Sequence, residues 1–491
     1  MDTKRIPPAG LQRTTFETSR AAEYFDARQL STLTGVPQTE FASVCLKELV
    51  DNALDACETA GVAPQVGIDV RAEQDVIGLT VSDNGPGIPP EVVKKVLDYN
   101  IRVSDKAAYR SPTRGAQGNA LKTIIGIPYA LGAREPLVVS ARGVRHQVAP
   151  WVDPAGAVHF DYSSSPQPTE GTTVSLTMPS RVMAAGERGY YLQEFDPVHW
   201  CRSFAAFNPH ATISYQAKSG GSKRPGISKS HFGEVRLGEG SYQAKSPEQE
   251  GAETYKSTLE GPIKKYVPSQ PTSPHWYSVE SLKVLVFNHI AHARGGGRDL
   301  PLGEFVRQFQ GLSSTRKAKV VCSQVPWISH LSEFADKPED VGILLAAMQQ
   351  ESKPPKASAL GWVGEDHFRT FFENTYDVVR EQNYTRKYGV LPSGLPFTFE
   401  FALAILDEPG HLYCGINFSP TFGDPLQGTT LVGPKFKANG IQGFLSQGHA
   451  LPEGERTWYR TPARVAACAH IITPAPMFLD RGKTRLDMEN A

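Results

Sequence analysis

Glu48-Leu49-Val50-Asp51-Asn52-Ala53-Leu54-Asp55-Ala56 lies in a stretch where Phe41, Val44, Cys45, Leu49, Ala53 and Ala56 recur at spacings of three and four. That period predicts an amphipathic helix over 39–60, stopped by Gly61. On such a helix Glu48, Asn52 and Asp55 stand at i, i+4 and i+7 and share one face, while Leu49, Ala53 and Ala56 turn toward a core. A carboxylate in that line can orient and deprotonate a water. An amide oxygen beside it can ligate a hard cation such as Mg2+. Standing alone, a segment of this kind is more often a solvated helix face, so its neighbours have to decide.

Downstream, two strand-like stretches, Gln65–Arg71 and Val76–Val81, lead into Ser82-Asp83-Asn84-Gly85-Pro86-Gly87. An Asp at a strand end can accept a hydrogen bond from an exocyclic amine, and Gly85 and Gly87 permit positive φ and the close approach of a flat ligand. A plain turn is the competing interpretation. A helix is expected from Pro90 to about Tyr99, with Pro near its first turn. A mobile loop is expected over 100–118 and a helix over 119–130. At that junction Arg114-Gly115-Ala116-Gln117-Gly118-Asn119-Ala120-Leu121-Lys122 brings glycines into a helix start, where backbone N–H groups suit phosphate. Gly171-Thr172 then opens a strand and places a small hydroxyl within reach of a ligand edge. Strand alternation over 136–180, mixed with these helices, suggests helices layered on a sheet.

Composition narrows the class. The chain has 491 residues, 40% of them hydrophobic and 21% charged, which fits ordinary folded domains and excludes wholesale disorder. Lys+Arg and Asp+Glu are 51 each, so no global basic field marks a nucleic-acid binder, and any such contact must be a local patch. No apolar run reaches the roughly 18–20 residues that a membrane helix needs, and the first residues lack the apolar core of a secretory signal. Six cysteines at 45, 57, 201, 322, 414 and 468 form no C-x-x-C pair, so a cytoplasmic setting is expected rather than a disulfide framework or a zinc site.

Glu48…Asn52, Asp83-x-Gly85-x-Gly87, Gly115-x-x-Gly118 and Gly171-Thr172, in that order and spacing, resemble the GHKL ATPase family. The resemblance implies an α+β fold whose core is the GHKL (Bergerat) ATP-binding α/β sandwich. It implies ATP and Mg2+ as ligands. Glu48 would be the general base and Asn52 the Mg2+ ligand. Asp83 would bond the adenine amino group with Thr172 assisting, and Gly87 would let the adenine pack closely. Residues 100–118 would form a lid, with Gly115, Gln117, Gly118, Asn119, Ala120, Leu121 and Lys122 around the phosphates. Asp51 and Asp55 are read as structural supports.

Within that family the chain looks like the B subunits of archaeal-type topoisomerase VI. The segment Ser19–Phe25 resembles their N-terminal strap. Asp299–Lys319 reads as helix, tight turn, helix and is similar to their helix-two-turns-helix insert. There Ser313 or Ser314 would cap the second helix, and Arg316, Lys317 and Lys319 would meet DNA phosphates. The C-terminal third resembles a transducer domain more loosely. Lys483 is the candidate for its switch lysine, catalytic across the domain boundary, with Lys435 and Lys437 as lesser candidates. Gly482-Lys483-Thr484 is not a P-loop, because Met477 stands where a Gly is required. The expected division is an ATPase domain with strap over 1–250, a small helical insert over 251–350 and a transducer-like α/β domain over 351–491.

The expected function is the ATPase subunit of a topoisomerase VI-like machine, an ATP-dependent homodimeric clamp acting on duplex DNA. A separate A-type nuclease subunit would do the cutting. Ala491 follows so soon after Lys483 that a shortened C-terminus is expected, which puts the usual docking of that partner in question. The alternative is an ATP-gated DNA clamp, a defence or maintenance ATPase without strand passage. A non-hydrolysing nucleotide scaffold is a third possibility.

Overall fold

A computed structural model describes residues 20–73, 76–99, 108–114, 120–179, 181–182, 190–191, 195–219, 252–259, 265–427, 464–479 and 486–487. A 3-10 turn at Arg20–Phe25 leads into α1 (Ala27–Thr34), whose N-cap Asp26 accepts from the amides of Arg28 and Gln29. Next comes α2 (Phe41–Ala60), closed by Gly61 in the left-handed region, as its apolar spacing predicts. Then follow β1 (Gln65–Glu73), β2 (Val76–Asp83), α3 (Pro90–Val96), α4 (Ala120–Ala130), β3 (Leu137–Ala141), β4 (Val144–Val152), β5 (Val158–Pro166) and β6 (Thr172–Pro179). Short strands β7 (Arg181–Val182) and β8 (Tyr190–Tyr191) pair with each other. They precede α5 (Pro197–Phe207), β9 (Thr212–Ser219) and β10 (Ala252–Tyr255).

The first sheet has the order β10-β9-β1-β2-β6-β3-β4-β5, with β1 and β9 parallel and its other neighbours antiparallel. Alternate residues Val66, Ile68 and Val70 of β1, Ile77, Leu79 and Val81 of β2 and Val174, Leu176 and Met178 of β6 are buried. That is the period of a strand with one face against a core. Helices α2, α4 and α5 pack on this sheet, giving the expected two-layer sandwich. The sheet runs past the expected boundary at 250, because Ala252–Tyr255 pairs with β9. Strand β9 runs to Ser219, and residues 220–251 lie outside the described residues.

The helical insert comprises α6 (Val279–Arg294), α7 (Leu302–Arg307), α8 (Thr315–Cys322) and α9 (Asp340–Glu351). The expected helix–turn–helix over 299–319 is therefore present as α7 and α8, which pack on each other while α8 also packs on α9. Ser314 occupies the N-cap of α8 with an extended backbone, but its side chain makes no capping bond. Beyond it, α10 (Glu365–Thr375) precedes β11 (Val379–Val390), β12 (Pro396–Leu406), β13 (Leu412–Ile416), β14 (Ser419–Pro420) and β15 (Val465–Ile472). These strands form a second sheet in the order β11-β12-β15-β13-β14, with β13 and β15 parallel. Helix α5 touches β9 of the first sheet and β13 and β14 of the second, so it joins the two layers.

Candidate nucleotide site

The face of α2 expected to carry chemistry is set by its two ends. Phe41, Val44, Cys45, Leu49, Ala53, Leu54 and Cys57 are buried, which fixes the rotation of the helix on the sheet. At the C-terminal end the Asn84 amide oxygen accepts from the Gln65 amide (2.9 Å) and the Cys57 thiol (3.3 Å), and its nitrogen donates to the Ala63 carbonyl (3.0 Å). Asn84 thereby ties the end of β2 to the end of α2. Glu48 is half-buried and Asn52 exposed, one turn apart on α2. Neither side chain makes a hydrogen bond within the described residues. Their neighbours are committed: the Lys47 ammonium donates to Asp51 Oδ2 (2.7 Å), and Arg114 lies 3.1 Å from Asp55 Oδ1. Asp55, on the stripe shared with Glu48 and Asn52, thus serves as a support. Burial disfavours the charge of Lys47, but the Asp51 and Glu48 carboxylates outweigh it and raise the ammonium above its ordinary range.

Register brings the second motif and the fourth together. Asp83 closes β2 directly opposite Thr172, which opens β6. Asp83 Oδ1 accepts from the amides of Gly85 (2.8 Å) and Thr172 (3.2 Å), which holds the carboxylate in one orientation. Burial raises the Asp83 pKa above the usual carboxylate range against those two bonds. Two glycines make the arrangement possible. Gly171 has φ +65°, and a Cβ there would overlap the Asp83 carbonyl. Gly87 has φ +75°, and a Cβ there would stand 2.9 Å from Arg142 Cγ and 3.1 Å from the Gly171 carbonyl. The Arg142 Nε donates to the carbonyls of Pro86 (3.1 Å) and Gly87 (3.0 Å), bracing the loop from outside. No sequence motif points to Arg142; its φ of +50° at the β3–β4 turn is what aims it there.

The third motif is only partly described. Gly115, Gln117, Gly118 and Asn119 lie outside the described residues, as do residues 100–107 of the expected lid. Ala120 and Leu121 begin α4. Lys122 is buried and donates to the Asp98 carbonyl (2.9 Å), with its ammonium 5.2 Å from the Tyr99 ring centre. Tyr99 also packs against Tyr24 and Phe25 of the N-terminal segment, so this lysine helps hold the strap. Lys483, Lys435 and Lys437 lie outside the described residues. In the insert, Arg316 and Lys319 are exposed, whereas the Lys317 ammonium donates to the carbonyls of Gly311 (3.0 Å) and Glu351 (2.8 Å).

Comparison with known proteins gives this geometry a context. Residues 39–182 match the family described as histidine kinase-, DNA gyrase B- and HSP90-like ATPases. The chain is similar to the B subunit of type 2 DNA topoisomerase 6 from Natronomonas pharaonis, with 27% identity over 177 residues, 35% of this chain and 21% of the relative. The corresponding protein of Methanosarcina acetivorans is 34% identical over 124 residues, 25% of this chain and 20% of the relative. That of Thermococcus sibiricus is 24% identical over 208 residues, 41% of this chain and 35% of the relative. The matched part thus spans a fifth to about a third of the length of these relatives.

Proposed function

We propose that this chain, whose residues 39–182 are a GHKL-type ATP-binding domain, binds and hydrolyses ATP as the B-type subunit of a topoisomerase VI-like DNA-handling machine. The observation that carries the reading is the pairing of Asp83 with Thr172 at the end of β2 and β6, beside a helix whose Glu48 and Asn52 are uncommitted within the described residues. With Oδ1 held by two amides, Asp83 offers Oδ2 to the amino group of adenine, and Thr172 is in place to assist. Gly87, at φ +75° and with no room for a Cβ, keeps the loop tight beside that carboxylate, which would let the flat base come close.

Asn52 fits a Mg2+ ion, because its amide oxygen is exposed and has no partner among the described residues. Bound there, the ion would neutralise charge on the phosphates. Glu48 would take a proton from a water as its oxygen bonds to the γ-phosphorus and the bond from that phosphorus to the bridging oxygen breaks. Most of the rate would come from positioning and charge stabilisation. ATP would favour a closed homodimer and product release would reopen it.

Duplex DNA is the proposed partner of the insert, through the two exposed cations of α8. Arg316→Gln together with Lys319→Gln should lower DNA stimulation of ATP turnover. The pair should also flatten the salt dependence of DNA binding by about two units of slope, at about 0.9 for each phosphate no longer neutralised. Both are read from phosphate release and DNA binding over a salt series. Lys317→Ala, by contrast, should loosen the junction of α8 and α9, because its ammonium is spent on two carbonyls. Unchanged stimulation in the double variant would remove the DNA patch from α8. Supercoil relaxation with an A-type subunit would separate strand passage from simple DNA retention.

A further inference from the structure

The turn between β13 and β14 is two residues long, and both are left-handed: Asn417 at φ +51° and Phe418 at φ +66°. A hairpin turn of this kind suits Asn, whereas a bulky residue at positive φ costs on the order of 1 kcal/mol. Phe418 is nonetheless fully buried, and every polar atom of its backbone is used. Its amide donates to His470 Nε2 (3.0 Å). Its carbonyl accepts from Arg114 Nε (3.3 Å) and from the Asn208 side-chain nitrogen (3.1 Å). Its ring lies under the Lys265 ammonium at 4.9 Å. On one side of it, Asn417 donates to the Thr113 carbonyl (3.3 Å). On the other, Ser419 Oγ donates to Asp51 Oδ2 (2.7 Å) and accepts from the Lys47 ammonium (2.9 Å).

Of these partners, Lys47, Asp51, Thr113 and Arg114 belong to the nucleotide domain. Lys47 and Asp51 directly precede Glu48 and Asn52 on α2. Thr113 and Arg114 are the last described residues before Gly115. Behind the turn, His470 Nε2 accepts from Phe418, so its Nδ1 carries the proton and donates to Glu400 Oε2 (3.2 Å). Glu400 is itself held by the amides of Val363 (2.8 Å) and Gly364 (2.9 Å). The turn is therefore fixed from the C-terminal sheet and grips both α2 and the stretch of chain that enters the phosphate motif.

We propose that the Asn417-Phe418-Ser419 turn is a positioning element of the ATPase site, through which the second sheet sets the orientation of Glu48 and Asn52, with Ser419 as the residue that keys α2. This rests on the assignment of residues 39–182 as the hydrolysing domain. Ser419 touches no substrate atom; it acts through Asp51 and Lys47. A helix rotated by a small angle would still bind nucleotide through Asp83 and Thr172, which lie on the sheet. It would aim the Glu48 carboxylate less well at the water.

The test compares the native chain with Ser419→Ala and Ser419→Thr. Alanine leaves Lys47 and Asp51 paired with each other, so no charge is orphaned and the chain should fold. The expected result is a fall in kcat on the order of tenfold, the equivalent of about one net hydrogen bond. KM and the affinity for a non-hydrolysable ATP analogue should stay within about twofold. Threonine, which keeps the hydroxyl, should restore kcat. In the same samples, amide hydrogen exchange over residues 48–52 should quicken in the alanine variant and return to native in the threonine variant. Unchanged kcat, a rise in KM alone, or threonine failing to rescue a folded chain would overturn the proposal. Absence of turnover in the native chain would instead sink the ATPase assignment. The exchange measurement then decides the link between turn and helix on its own, and native protection in Ser419→Ala would overturn it.

Discussion

Replacing Glu48 by Gln should cut phosphate release by about 10²–10⁴-fold, the usual contribution of a positioned general base, while a non-hydrolysable ATP analogue binds about as tightly as before. Glutamine keeps the shape of the side chain and its half-buried place on α2. It loses the ability to accept a proton, together with a charge that helps Asp51 favour the Lys47 ammonium. No side-chain hydrogen bond is broken, because Glu48 makes none within the described residues, so the folded chain should be unaffected. A steady-state phosphate assay and a binding titration on the same preparation check both halves. A non-hydrolysing nucleotide scaffold predicts no change in either, and an unaltered rate would remove Glu48 from the chemistry.

Arg114→Ala should be the most damaging single change to stability, lowering it by about 3–5 kcal/mol, the range for breaking a buried ion pair from one side. Arg114 is 2% exposed. It lies 2.8 Å from Glu58, 3.1 Å from Asp55 and 3.4 Å from Asp51, and bonds the Asn208 side chain and the Phe418 carbonyl. Lys265 meets Glu58 at 2.6 Å, and Lys47 meets Asp51 at 2.7 Å. His210 also bonds Glu58 (2.8 Å), but burial pushes its pKa down to about 4 and leaves it neutral near pH 7. The cluster therefore sets three cations against three carboxylates. Burial works against the charge of Glu58, yet Arg114 and Lys265 hold its pKa well below the usual range. Without Arg114 an excess negative charge is left in a largely buried site, with Glu58 the most enclosed of the three carboxylates. The thermal midpoint should fall on the order of 10 °C, and Arg114→Lys should recover only part of this, since an ammonium cannot span partners on so many sides. A midpoint within a degree of native would contradict these roles for the cluster.

Much of the candidate nucleotide site is legible in the sequence because its residues come in short local motifs. Glu48 and Asn52 follow from the period of α2, and Asp83, Gly85 and Gly87 from a strand that ends in glycines. The pairing of Asp83 with Thr172 is different in kind. It is a contact across 89 residues, fixed by sheet register, and only a family resemblance points to it. Helix α5 is hard to see in the sequence for a physical reason: Trp200, Cys201, Phe204, Ala205, Ala206 and Phe207 are buried, because two sheets close on it. What places it is contact with strands far away in the chain, which its own window does not contain. A local start signal is Asp196-Pro197, a cap followed by Pro in the first turn. The Arg114 cluster gathers residues 47, 51, 55 and 58 of α2 with 114, 210 and 265 from distant segments, so no window of sequence contains it. Lys317 shows the converse: the ammonium expected to meet a phosphate donates to two backbone carbonyls, contacts that its own sequence does not announce.

The most direct measurement is a calorimetric titration of a non-hydrolysable ATP analogue, with Mg2+, into the native chain and into Asp83→Asn. Asparagine can still accept from the Gly85 and Thr172 amides through its oxygen, so the loop keeps its shape. Its nitrogen then faces the adenine amino group, donor against donor. Adenine recognition by Asp83 predicts saturable binding to the native chain and a loss of about 100-fold or more in the variant, the scale of a mispaired buried polar contact. No binding to the native chain, or equal binding to both, would contradict it.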